Sequence, residues 1–309
     1  MDLRRVVPGF RRTGGGRARP DKVAFVLSGG GVLGAMQIGQ LEALLRAGIT
    51  PDLLVGTSVG ALNAAAIAAE PTVAGAEHLR DVWIGLRTED IFPGSKLQRA
   101  LQFVRKGDHL YPNDGLRRLA EKVPARRFED LSLPLSICAA NLRTGEEHWF
   151  EDGPLAPAIM ASAAIPGIFP PVVVDGEHYL DGGVVNNVPI SRAVELGATT
   201  IYVLTCGTGK ASERPIQRPF EVLLQAFAHS RARRIGLDLE RYAERARIVH
   251  MPTFEPGPIG YKDTSHAARL YETALDLATR FLADQPVVER ALRRKRRVAA
   301  LGTATATTP

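Results

Sequence analysis

The chain has 309 residues, 45% of them hydrophobic but only 6% aromatic, enough for one large α/β domain or two small ones, with a core that Val, Leu, Ile and Ala must fill. Its net charge of +6 is dominated by arginine gathered at the two ends, which favours anionic partners. No run approaches the roughly 20 apolar residues that span a bilayer, and two cysteines without Cys/His spacing exclude both a disulfide framework and a zinc site.

Residues 1–20 are basic and glycine-rich, with no apolar stretch of signal-peptide length, and read as a disordered tail able to meet anionic membrane. Residues 22–27 form a short apolar run, a buried strand. Met36, Ile38, Leu41, Leu44 and Leu45 then recur at helical spacing up to Gly48. Pro51-Asp52 makes a turn, residues 53–55 a second strand, and the alanine-rich residues 61–69 a second helix. Strand, helix, strand, helix in this order predicts a βαβ unit and a parallel sheet.

Residues 71–134 differ. Helical patterns near 74–86, 96–104 and 115–123 alternate with turns at Phe92-Pro93-Gly94 and Tyr111-Pro112-Asn113, an insertion placed either to cover a site or simply to pack. Strands resume at 135–142 and 148–150, and 172–174 and 178–180 flank the hairpin turn Asp175-Gly176. A helix at 190–196, a strand at 200–204, a polar loop at 207–219, helices at 220–244 and 265–283 and a strand near 247–251 complete the pattern. Cys138 and Cys206 sit in or at the end of strands, as reduced cysteines of a cytoplasmic protein would. One domain over 21–285 is expected, followed by a basic helix end and disordered tail over 286–309, a second candidate contact for membrane.

Two loops carry chemistry. Gly56-Thr57-Ser58-Val59-Gly60 joins a strand to a helix with a serine at the apex, and flanking Gly56 and Gly60 permit a sharp turn and leave the hydroxyl uncrowded. Gly29-Gly30-Gly31-Val32-Leu33-Gly34 opens the preceding helix with bare N–H groups that suit negative charge. A dinucleotide cradle is one reading, but the next strand ends in Ser58 in place of a ribose-binding acid, and no Gly-Lys-Ser/Thr follows. An oxyanion hole is the other, because neighbouring parallel strands end on one edge and bring their loops together. The serine needs a base. Of seven histidines, His250 at a strand end is the best placed, with His266 behind it. Asp181, at a strand-to-turn junction before Gly182-Gly183, is better placed, although a carboxylate near its ordinary pKa of about 3.9 is a weak base and Asp-Gly also caps plain turns.

Four ordered blocks, Gly29 to Gly34, Gly56 to Gly60, Ala161-Ser162-Ala163-Ala164-Ile165-Pro166 and Asp181-Gly182-Gly183, resemble the patatin-like phospholipases over residues 22–204. The resemblance implies a three-layer α/β/α fold with a mostly parallel central sheet, and hydrolysis of carboxylic esters of acyl lipids with no metal or other cofactor. It implies Ser58 as nucleophile, Asp181 as base, and an oxyanion hole from the N–H groups of Gly29, Gly30, Gly31 and Val32, assisted by Val59. The third block would pack beside the site. The family's first block often carries Arg or Lys where this chain has Leu33. An acyl lipid is the expected partner and nucleic acid is not. A Ser–His–Asp esterase, a dormant lipid-binding protein on the same fold and a nucleotide-binding protein are the competing readings.

Overall fold

A computed structural model describes residues 21–94, 109–207, 219–257 and 259–284. The predicted tail 1–20, the helical pattern 96–104, the polar segment 208–218 and the basic end 286–309 lie outside the described residues. Eight strands form one sheet. β1 (Val23–Leu27) is central and pairs in parallel with β2 (Leu53–Thr57) on one side and β7 (Thr200–Leu204) on the other, with β8 (Arg247–His250) parallel beyond β7. β1 and β2 are apolar and buried almost throughout, as strands covered on both faces must be.

Alternation along β1 separates the two covering layers. Phe25 and Leu27 join a core with Met36, Ile38 and Leu41 of α1 (Ala35–Arg46), Ala64 and Ile67 of α2 (Val59–Ala69), and Ala274 of α9 (Ala267–Ala283). Ala24 and Val26 point the other way, toward Ile190 and Ala193 of α7 (Ile190–Glu195) and Tyr242 of α8 (Pro219–Tyr242). Helix, sheet and helix layers are therefore read directly from strand parity.

The antiparallel strands place the site. β3 (Leu135–Asn141) pairs with β4 (Glu147–Phe150) along one edge. Its other edge is shared end to end. β2 runs parallel to its first half, ending at Thr57↔Cys138. β6 (Glu177–Asp181) runs antiparallel to its second half, ending at Ala139↔Asp181, and β5 (Val172–Val174) pairs with β6 as the predicted hairpin. β2 and β6 thus meet C-terminus to C-terminus on adjacent register positions of β3. Ser58 follows one terminus and Asp181 is the other, so 123 residues of separation close to a contact.

The insertion between β2 and β3 is helical as expected, with α3 (Val73–Ile84), α4 (Thr88–Ile91) and α5 (Asp114–Ala120). Two described helices lie outside the patterns expected from the sequence, the one-turn α4 and the helix that leads into the third block. α6 (Leu155–Ser162) carries Pro157 and starts after Pro154, so it lacks an obvious helical signature. Proline is tolerated there because first-turn N–H groups have no intrahelical acceptor.

Candidate active site

Ser58 sits at φ 56 and ψ −127, between β2 and the first turn of α2. A side chain with a Cβ in that region costs about 1–3 kcal/mol, which the packing around it must offset. The sequence assigns the sharp bend to the flanking glycines. Instead the serine itself takes the strained torsion, and the glycines permit close approach. A Cβ on Gly56 would lie 2.6 Å from the Gly60 carbonyl oxygen, and one on Gly60 would lie 2.4 Å from that of Leu27. The elbow is thereby pressed against the end of β1.

The Ser58 hydroxyl donates to Asp181 Oδ2 at 2.6 Å, and Asp181 Oδ1 accepts the Gly183 N–H at 2.7 Å. Both side chains are nearly buried, Ser58 5% and Asp181 6% exposed. The third sequence block holds both. Ser162 Oγ accepts the Ser58 N–H at 2.8 Å and donates to the Cys138 carbonyl at 2.5 Å, while the Ala164 carbonyl accepts the Asp181 N–H at 2.9 Å. Ser162 was missed as a functional position, and its place in a small-residue block was the only signal. Replacing it with Ala strands a buried N–H and a buried carbonyl. We expect Ser162→Ala to lower stability by about 1–3 kcal/mol and turnover by roughly tenfold, read from thermal melts and initial rates. An unchanged rate would show that the elbow holds its geometry without this link.

The glycine loop lies alongside. A Cβ on Gly29 would stand 3.1 Å from Ser58 Cβ, and one on Gly30 would overlap the Cys206 side chain. Gly31 has φ 57, a left-handed torsion that favours glycine. Gly29 departs from its assigned part, because its N–H donates to the Asn187 carbonyl at 3.1 Å. Gly30 caps and Gly31 and Val32 open the 3-10 turn Gly31–Gly34, whose first N–H groups have no intrahelical acceptor. Val59 stands at the equivalent place in α2. Asn187, six residues after Asp181, also donates its amide to the Gly29 carbonyl at 3.4 Å. Thr57 Oγ1 donates to the Asn186 carbonyl at 2.9 Å, so the stretch after Asp181 is tied to both loops. At the loop's far end Asn63 Nδ2 donates to the Gly34 carbonyl and to Gln37 Oε1, and the Trp83 indole N–H donates to Asn63 Oδ1. No motif in the sequence marked Asn63, Gln37 or Asn187.

The two candidate histidines are elsewhere. His250 ends β8, three strands from β2 and so about 14 Å away by strand spacing. Burial pushes its pKa below the usual 6.5 and outweighs the opposing hydrogen bond to the Met251 carbonyl. His266 lies at the start of α9 within 3.4 Å of Asp263.

Ser58 faces a cleft of about 600 Å³ that reaches open solvent. Beyond Gly31, Val32 and Ser58 its walls are apolar, including Trp83, Ile159 and Met160. Phe92 stacks on Phe169 with ring centroids 5.6 Å apart and closes one side. Among the described residues no helix is long and apolar enough to cross a membrane, and no group of three or more His, Cys, Asp or Glu forms a metal cluster.

Comparison with known proteins gives a consistent family. The family model described as Patatin-like phospholipase matches residues 25–194. Patatin-like phospholipase domain-containing protein 6 of Mus musculus is 30% identical over 189 residues, 60% of this chain and 14% of that protein. Lysophospholipase nte1 of Aspergillus terreus is 28% identical over 193 residues, 60% of this chain and 12% of that protein. An uncharacterized NTE family protein of Mycobacterium bovis is 30% identical over 197 residues, 62% of this chain and 50% of that protein. The chain therefore spans half or less of the length of these relatives. Among solved structures, VipD from Legionella pneumophila aligns with a TM-score of 0.42 and 15% identity, over 84% of this chain and 68% of that one.

Proposed function

Because the chain belongs to the patatin-like phospholipase family, we propose that it is a lipid acyl hydrolase that cleaves carboxylic esters through Ser58 and Asp181. The reading rests on one observation above all: the 2.6 Å hydrogen bond between these side chains at a cleft with apolar walls. Ser58 Oγ attacks the acyl carbonyl as its proton passes to Asp181 Oδ2. The carbonyl oxygen becomes an oxyanion, held by N–H groups of Gly30, Gly31, Val32 and Val59 and favoured by the positive end of α2. Collapse of the tetrahedral intermediate breaks the ester C–O bond, and the departing alkoxide takes the proton from Asp181. Water then attacks the acyl-enzyme with Asp181 accepting its proton, and collapse of the second tetrahedral intermediate breaks the bond to Ser58 Oγ, which takes the proton back from Asp181 as the fatty acid leaves. The acyl chain lies against Trp83, Ile159 and Met160, where apolar burial contributes about 0.8 kcal/mol per methylene.

Residues 21–285 act as one catalytic domain in this reading, and the basic ends 1–20 and 286–309 supply peripheral contact with anionic membrane. A panel of acyl esters of varied chain length and head group, run on the wild type, identifies the preferred substrate class. Labelling of Ser58 by a fluorophosphonate separates a working enzyme from a dormant lipid-binding protein, since a dormant site leaves the serine unlabelled.

A histidine base would give the rate an acid limb near pH 6 to 7. We expect His250→Gln to leave the pH–rate profile unchanged, which initial rates from pH 5 to 9 would check. Its effect belongs to stability. The folded pKa lies below the unfolded value of about 6.5, so below pH 6.5 the unfolded chain binds the extra proton. Stability present above that value is lost as pH falls toward the folded pKa. Melting midpoints of His250→Gln should accordingly decline less between pH 7 and pH 5 than those of the wild type.

A further inference from the structure

A second cleft, of about 410 Å³, lies beyond the first and shares two walls with it, Leu62 and Leu119. Three helices carry a common seam from one cleft to the other. Along α2, Val59 and Leu62 line the first and Leu62, Ala66 and Glu70 the second, at the spacing that keeps one helical face. After Leu116 in the first cleft and Leu119 in both, Val123 lies in the second. α3 runs the opposite way, with Trp83 in the first cleft and Leu79 and Gly75 in the second. The seam starts at Ser58 and ends among Glu70, His78 and Lys122, which belong to the second cleft alone.

We infer that Leu62 and Leu119 form the partition that sets the longest acyl chain the site accepts, and that the second cleft is the extension a longer chain would occupy if the partition were removed. The inference rests on the acyl hydrolase reading above. Its geometry is simple. Leu62 stands one turn along α2 from Ser58, about 6 Å at the helical rise, and Ala66 one turn further. An extended hydrocarbon covers one such turn in about five carbons. A chain that meets the leucines must bend or withdraw, and each methylene left without a pocket costs about tenfold in specificity. Glu70, His78 and Lys122 at the outer end supply polar groups where the seam meets solvent, so an extended chain would still end near water.

The test uses p-nitrophenyl esters from four to sixteen carbons, on the wild type, Leu119→Ala, the double variant Leu119→Ala/Ala66→Phe, and Ser58→Ala as the background. Turnover that Ser58→Ala abolishes establishes the acyl hydrolase reading independently of chain length. Given that, Leu119→Ala should move the optimum of kcat/KM to chains about four to five carbons longer, raising the ratio of long to short esters by roughly tenfold or more. Adding Ala66→Phe refills the second cleft and should return the optimum toward the wild-type length. Leu62→Ala serves as the second opening variant where Leu119→Ala folds poorly. An unchanged profile in both opening variants, or an equal fall at every length, overturns the inference. So does a shift that Ala66→Phe does not reverse.

Discussion

Ser58→Ala should reduce ester hydrolysis by about 10⁴-fold or more while the fold survives, and Asp181→Asn should do nearly the same. The two substitutions remove different things. Alanine keeps the Cβ of residue 58, so the strained torsion remains and the elbow stays pressed on β1. Only the nucleophile and its hydrogen bond to Asp181 are lost. Asparagine at 181 preserves volume and can still accept the Gly183 N–H through its carbonyl oxygen, which protects the turn. It cannot take a proton from Ser58, so attack must proceed from an unassisted alcohol. Circular dichroism and melting midpoints establish folding, and initial rates on the preferred ester, with burst kinetics for the acyl-enzyme, give the loss. Substantial turnover by folded Asp181→Asn would falsify the proposed base. Ser58→Gly offers an internal check on the strain. Without a Cβ the φ of 56 is no longer penalised, so this inactive variant should melt above Ser58→Ala by an amount equivalent to about 1 kcal/mol, offset in part by the greater unfolded-state freedom of glycine.

The parts of this fold that depend on local pattern were legible in the sequence. β1, β2 and β7 read as apolar runs because both their faces are covered, and α1 and α9 read as helices from their apolar spacing. The site was legible where residues are chemically unusual: a serine between glycines, a glycine run, an Asp-Gly-Gly turn. What could not be read was how these points are joined. β3 accepts β2 and β6 on one edge, and nothing in residues 135–141 announces that a strand's edge will be divided between two partners. Ser162 was hidden for a related reason. A serine in Ala-Ser-Ala-Ala looks like small-residue packing until Ser58 N–H and the Cys138 carbonyl are brought to its two sides. Asn187 looks like a turn residue until its carbonyl accepts from Gly29. The glycines of the elbow sit at close main-chain contacts, where the sequence assigns them to the bend. Sequence gives their lack of a side chain, whereas only the packed structure tells whether that freedom is spent on torsion or on distance.

Distance is the case at Gly60, which makes its substitution the most damaging we expect outside the two reacting side chains. A Cβ there would lie 2.4 Å from the Leu27 carbonyl oxygen and 2.6 Å from that of Ser28, both main-chain atoms at the end of the central strand. Neither can swing aside as a flexible side chain would. An ordinary contact requires α2 to retreat from β1 by about 1 Å, against a close-packed core. The retreat carries Ser58 with it, away from Asp181 and from the glycine loop whose N–H groups must meet the oxyanion. Gly60→Ala should therefore lose about 3 kcal/mol of stability, a fall in melting midpoint of roughly 6–10 °C for a domain of this size. The folded fraction should turn over about 10²-fold more slowly, the usual effect of a 1 Å misplacement. Gly236→Ala is the matched control. It lies within α8 with nothing near its absent Cβ, so helix propensity alone should leave it neutral or up to about 1 kcal/mol more stable. Melting midpoints and rates for the two variants, measured side by side, separate loss of space from loss of glycine. Equal behaviour of the pair would mean that α2 is not held against β1 as described, and that Ser58 owes its position to something other than the contact at Gly60.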